Sequence, residues 1–123
     1  DIISAEHNCV WGTTDITAHA EIHAIRKACR KLNHVLLEGC VIYSTCEPCP
    51  MCFSACHWAR IEKIVYGATI NDARDAGFNE LTVSNVQLKK YGESPIQIVG
   101  GCLKKETLQL FSDWQHSDCQ KAY

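Results

Sequence analysis

The chain is poor in several things, and each shortage excludes something. No run approaches the roughly 18 consecutive apolar residues that a membrane-spanning helix needs. Basic charge is not in surplus: twelve Lys and Arg stand against fourteen Asp and Glu, for a net charge of -2. That balance argues against a protein held to nucleic acid by broad phosphate contact, though not against a small polar substrate. Repeats and low-complexity tracts are missing, and no signal peptide is visible. Methionine occurs once, as Met51, so the chain is expected to begin inside a longer gene product or to have been trimmed. At 123 residues, 46% hydrophobic and 21% charged, it has room for one domain, residues 1–123, with a sizeable core.

Cysteine is the exception to this scarcity. Nine in 123 residues is about 7%, just below the density of a small disulfide scaffold. The number is odd, and Cys46, Cys49 and Cys52 fall in one short stretch. Such clustering points to metal rather than to disulfides, and to a reducing, cytoplasmic compartment.

Apolar periodicity predicts an α/β fold. Ile2 and Ile3 read as the tail of a short strand, followed by a loop from Gly12 to Thr17. Ile22, Ile25, Cys29 and Leu32 recur at helical spacing, giving a helix from Ala18 to about Leu32 with Thr17 as its cap. Cys40–Thr45 is a buried strand, and a second helix starts at Pro48 and runs to about Arg60. Ile61–Ala68 and Ile96–Val99 are further strands. The segments between adjacent strands are long enough for crossovers, so these strands are expected to be parallel. Thr69–Pro95 is a long connection with a short helix near Val86–Tyr91, a length typical of functional loops. A last helix spans Leu103 to about His116, with Leu108, Leu110, Phe111 and Trp114 as candidates to face inward.

The chemistry concentrates in His19-Ala20-Glu21 and Pro48-Cys49-Pro50-Met51-Cys52. One His and two Cys supply three ligands for Zn²⁺ and leave the fourth tetrahedral position to water. Cys49 and Cys52, three apart in a first helical turn, project from one face, where the helix dipole favours thiolates. Bound zinc lowers the pKa of its water to about 7, and Glu21, which is not needed as a ligand, is free to carry protons. H-x-E followed by P-C-x-x-C is the signature of zinc nucleobase deaminases. A closed structural site with Cys46 as fourth ligand is the alternative. Against it, Cys46 belongs to a strand end and is expected to be a dry thiol, as are Cys9, Cys29, Cys40, Cys56, Cys102 and Cys119. His23, four residues after His19, is a weak metal candidate, because a metalloprotease pair needs Glu immediately after the first His. His7, His34, His57 and His116 are read as surface or packing residues.

The sequence resembles the cytidine deaminase-like superfamily and, within it, the bacterial guanine deaminases. The resemblance rests on TAHAEIHAIRKAC (Thr17 to Cys29), STCEPCPMC (Ser44 to Cys52), WAR (Trp58 to Arg60) and DARDAGFNE (Asp72 to Glu80), with a terminal Tyr123. It implies a three-layer α/β/α fold around a mixed sheet. It also implies one zinc per chain on His19, Cys49 and Cys52, with Glu21 as proton shuttle. Glu80 falls where guanine deaminases carry a second substrate-engaging carboxylate, usually Asp. Asn8 matches a base-binding asparagine and Trp58 a pocket aromatic, while His19 and Ala20 adjoin the substrate. Tyr123 matches a tyrosine that reaches an active site, often the partner's, in a homodimer with exchanged C-terminal segments.

The implied reaction is hydrolysis of guanine to xanthine and ammonia. Guanosine, cytosine and tRNA adenosine are alternative substrates of the same fold, and a non-catalytic zinc module is the alternative from another class. Asp113–Tyr123 holds two Asp and one Lys, which disfavours RNA. Family members carry a helix and a strand ahead of the position of Asp1, the strand lying between Ile2–Ile3 and Cys40–Thr45. Their loss would open unpaired backbone edges inside the sheet. Ile16 also replaces the family's usual Pro before Thr-Ala-His.

Overall fold

A computed structural model describes residues 1–118 and 120–123; Cys119, expected to be a dry thiol, lies outside the described residues. The elements in chain order are α1 (Val10–Thr13), α2 (Ala20–Leu32), β1 (Val41–Cys46), α3 (Pro50–Trp58), β2 (Lys63–Ala68), α4 (Ile70–Asp75), α5 (Asn85–Tyr91), β3 (Gln97–Val99) and α6 (Lys104–Gln115). The strands form one parallel sheet in the order β1-β2-β3. Ile42 pairs with Ile64 and Ile64 with Ile98, so the apolar residues of one pleat face align. α2 and α3 cover that face, and Ala28, Phe53, Cys56, Ile64 and Ile96 close the core between them.

α6 packs on the opposite face of β2, which makes three layers at the middle of the sheet. Gly67 permits this approach: a Cβ there would lie 2.5 Å from Thr107 Oγ1 and 2.9 Å from the Cys102 carbonyl. α6 does not extend over β1, whose Val41 and Tyr43 stay exposed. Leu108 and Leu110, candidates to face inward, are likewise exposed.

Two boundaries move for physical reasons. Pro50 forces the residue before it out of the helical region. Cys49 is therefore extended at φ -62°, ψ 166°, and α3 starts at Pro50 instead of Pro48. α2 starts at Ala20 with His19 as its N-cap residue, because Thr17, the expected cap, bonds to Asp15 through both its backbone N–H and its hydroxyl. At its far end Asn33 takes the left-handed conformation that closes the helix.

Ile2–Ile3 does not form a strand. Ile2 is exposed, and residues 1–9 have no ladder partner among the described residues. The sheet is accordingly all parallel rather than mixed. Among the described residues β1 pairs only with β2, and a cavity of about 830 Å³ lies along its other edge, walled by residues 1–6, α2 and β1. This is the place where the sequence called for an intervening strand.

Candidate active site

The starts of α2 and α3 meet above the ends of β1 and β2, and each presents a donor side chain from its N-cap position. Neither His19 nor Cys49 makes a side-chain capping hydrogen bond to its helix. His19 Nδ1 stands 3.6 Å from Cys49 Sγ and 3.6 Å from Cys52 Sγ. The three donor atoms lie within 4.8 Å of one another. Zn–S and Zn–N bonds of about 2.3 and 2.1 Å at a tetrahedral angle place N and S about 3.6 Å apart. The residues present therefore fit zinc, and three donors leave a coordination position open.

The three groups are coupled through their protons. The Cys52 thiol donates to Cys49 and, with help from His19, draws the Cys49 thiol down to about 4, while Cys52 itself is pushed up. His19 is raised in turn by its bond to Cys49. Cys46 takes no part: its Sγ faces the Thr69 carbonyl at 3.6 Å, and burial pushes its thiol up to about 12. It is absent from the metal group, as is His23, whose Nε2 is buried without a hydrogen-bond partner.

Two carboxylates approach the cluster. Glu21, in the first turn of α2, is pushed up by burial and lies against Cys49 and Cys52. Glu80 comes from the connection between α4 and α5. It is raised by burial and by the charge of Cys49.

The remaining wall is aromatic and distant in sequence. The Tyr123 ring lies 5.5 Å from that of His19, and its hydroxyl accepts from Asn8 Nδ2 at 2.6 Å. Asn8 Oδ1 accepts from the Val10 N–H, so this side chain both shapes the loop and meets Tyr123. Phe78 packs edge-on to Tyr123 at 5.4 Å and stacks on Trp114 at 4.9 Å. The Asn79 N–H donates to the Tyr123 carbonyl, and Trp11 Nε1 to that of Lys121. Within this one chain the C-terminal segment thus covers its own His19.

Trp58 does not join the group. It is 74% exposed at the far end of α3 and lines a separate cavity of about 560 Å³ with Glu38, His57 and Arg60. An aromatic six residues beyond Cys52 sits nearly two turns along the axis, too far to share that end of the helix. Among the expected dry thiols, Cys56 is fully buried and Cys102 is exposed. Phe78 was part of a matching stretch but carried no assigned role. Glu47 and Asn85, buried beside the cluster, were not singled out; a Glu immediately before Pro-Cys was the available signal.

This fold and this constellation define a deaminase of the cytidine deaminase-like class. The profile of the MafB19-like deaminases matches residues 2–107, and the chain belongs to that family. It is 39% identical over 122 residues to the guanine deaminase of Bacillus subtilis (strain 168), covering 99% of this chain and 78% of that protein. It is also 53% identical over 68 residues to a tRNA-specific adenosine deaminase of Aquifex aeolicus (strain VF5), covering 55% of this chain and 45% of that one. The solved structure of NE0047 in complex with 2,6-diaminopurine superposes with a TM-score of 0.85 at 26% identity, over 98% of this chain and 67% of its own. The chain spans about two thirds of the length of such solved structures.

Proposed function

We propose that the protein is a zinc-dependent hydrolytic deaminase that converts guanine and water to xanthine and ammonia. The observation that carries this reading is the three-donor cluster with an open position and Glu21 beside it. His19, Cys49 and Cys52 would hold the zinc, which when bound would supply a water activated at neutral pH. Glu21 takes the two protons of the attacking water in turn, as its oxygen bonds to C2 and then becomes the carbonyl, and delivers one to the ring nitrogen and one to the departing amine as the exocyclic C–N bond breaks. The burial that raises Glu21 suits it to this double role, because a catalytic acid–base group works best with a pKa near the operating pH. Glu80 accepts from the purine N–H groups, Asn8 engages the polar edge, and Tyr123 with Phe78 excludes water from the flat base.

The relationship to guanine deaminase over nearly the whole chain supports the substrate, as does the 2,6-diaminopurine held by NE0047. The stronger local identity to a tRNA adenosine deaminase favours a second reading. Against it stands the composition of the C-terminal segment, which offers one Lys and two Asp between Asp113 and Tyr123. We also read the protein as a cytoplasmic homodimer in which the C-terminal segment closes the site. The deciding experiment is ammonia release from a panel of guanine, guanosine, cytosine, adenine and tRNA. Guanine turned over well ahead of the others is the expected result. Inosine formation in tRNA with no guanine turnover replaces this reading with the second, and zinc binding without any ammonia leaves a structural zinc module.

A further inference from the structure

A buried carboxylate with no part in this chemistry stands two residues before Cys49. Glu47 is 5% exposed, and no basic side chain pairs with it among the described residues. A buried carboxylate is costly unless hydrogen bonds hold its charge. Both oxygens are in use: Oε2 accepts from the Ile70 N–H at 3.0 Å and Oε1 from the Asn85 N–H at 2.7 Å. These are the first residues of α4 and α5, whose N–H groups have no partner within their own helices. Asn85, fully buried, then reaches back, and its Nδ2 donates to the Pro48 carbonyl at 2.6 Å. Its Oδ1 finds no partner. A buried amide with one end unsatisfied costs stability, so the bond made by its other end is what the position provides. Proline has no N–H, and its carbonyl is the one backbone group by which Pro48 can be held. That carbonyl belongs to the same peptide group as the Cys49 nitrogen.

Residues 70 and 85 also bracket α4 together with the connection that carries Phe78 and Glu80. One side chain therefore ties both ends of that longer segment to the residues that deliver Cys49. We propose that Glu47 is a positioning residue, which sets the separation between the Cys49–Cys52 pair and Glu80, with Asn85 passing the constraint to the Cys49 peptide. It touches neither metal nor substrate. The Glu80 half of this proposal rests on the purine reading above; the Cys49 half does not.

Glu47→Gln tests it at constant shape, because the new amide turns a donor toward one of the two N–H groups. Loaded with Co²⁺ in place of zinc, the variant should bind one ion per chain, with its visible cobalt bands shifted from those of the wild type. Its KM for guanine should rise about tenfold, on the scale of one charged hydrogen bond, with kcat changed less. Glu47→Gln/Glu80→Gln should be no worse than Glu80→Gln alone, since Glu47 acts through Glu80. Asn85→Ala removes only the Pro48 bond and should shift the cobalt bands as well; it carries the spectral test if Glu47→Gln does not fold. Wild-type cobalt spectra in the folded variants overturn the proposal, and so does an additive loss in the double variant. Should the wild type leave guanine untouched, the substrate reading fails, and the cobalt spectra alone decide the role of Glu47.

Discussion

The two sides of the site differ in how its parts are gathered. The metal side comes from two helix starts, where His19 and Glu21 are two residues apart and Cys49 and Cys52 three. Local geometry alone puts each pair together, and the sheet has only to bring two helices side by side. The proposed substrate side is assembled from Asn8, Phe78, Glu80, Trp114 and Tyr123, more than a hundred residues from first to last, through single bonds such as Asn8 to Tyr123. One side is set by helix geometry, the other by tertiary contact. Substitutions of the three donors should therefore abolish metal on the first side, whereas substitutions on the second should tune turnover.

The largest expected effect is on the metal. Cys49→Ala should lose zinc by metal analysis and lose activity with it, whereas Cys46→Ala should keep both; loss of zinc from Cys46→Ala would make the site a closed, four-ligand one. Next comes Glu21→Gln, which should retain zinc and fold while turnover drops by about 10²–10⁴-fold, the usual worth of an acid–base group. A Glu21→Gln enzyme with near wild-type turnover removes Glu21 from the mechanism.

Deleting Ser117–Tyr123 probes the other side. Zinc content should stay at one per chain, while guanine turnover falls about 10²-fold as the base loses its register. Mixing the deletion with Glu21→Gln tells whose site the segment serves: recovery of activity places it across a dimer, and its absence, with subunit exchange demonstrated, places it over its own His19. The smallest effect is expected of Trp58→Ala. An exposed side chain remote from the cluster should alter kcat/KM by no more than about twofold. A larger loss would bring the Trp58 surface into the site through a partner chain.

The same contrast explains what the sequence disclosed. His19, Glu21, Cys49 and Cys52 were legible because their spacing has meaning on any helix, and the three strands because β-branched runs need no knowledge of their neighbours. α4 escaped notice inside a long connection, although Thr69-x-x-Asp72 spells its capping box, which the structure forms in full. Leu108 and Leu110 show the limit of periodicity, which marks an apolar face without saying whether another element covers it. Ile2–Ile3 had the composition of a strand end but lacked a ladder partner, which is a property of the sheet and not of two residues. Trp58 stands apart from the cluster and Tyr123 lies against it for one reason: position around and along a helix is fixed locally, whereas a terminal segment goes where its contacts take it.

The capping of α2 and α3 has a consequence for the whole molecule. A helix start usually satisfies its free N–H groups with the side chain at the N-cap, a contact worth about 1 kcal/mol. Here both such positions hold donors that could share an ion, as the proposed zinc site requires. Metal content and folding then become one linked equilibrium, since an ion that binds only the folded chain stabilises it by about 4 kcal/mol at a thousandfold excess over its Kd. Scarcity of zinc would act on this protein as heat does, fraying two helices from the same end and lowering the amount of folded chain together with its activity.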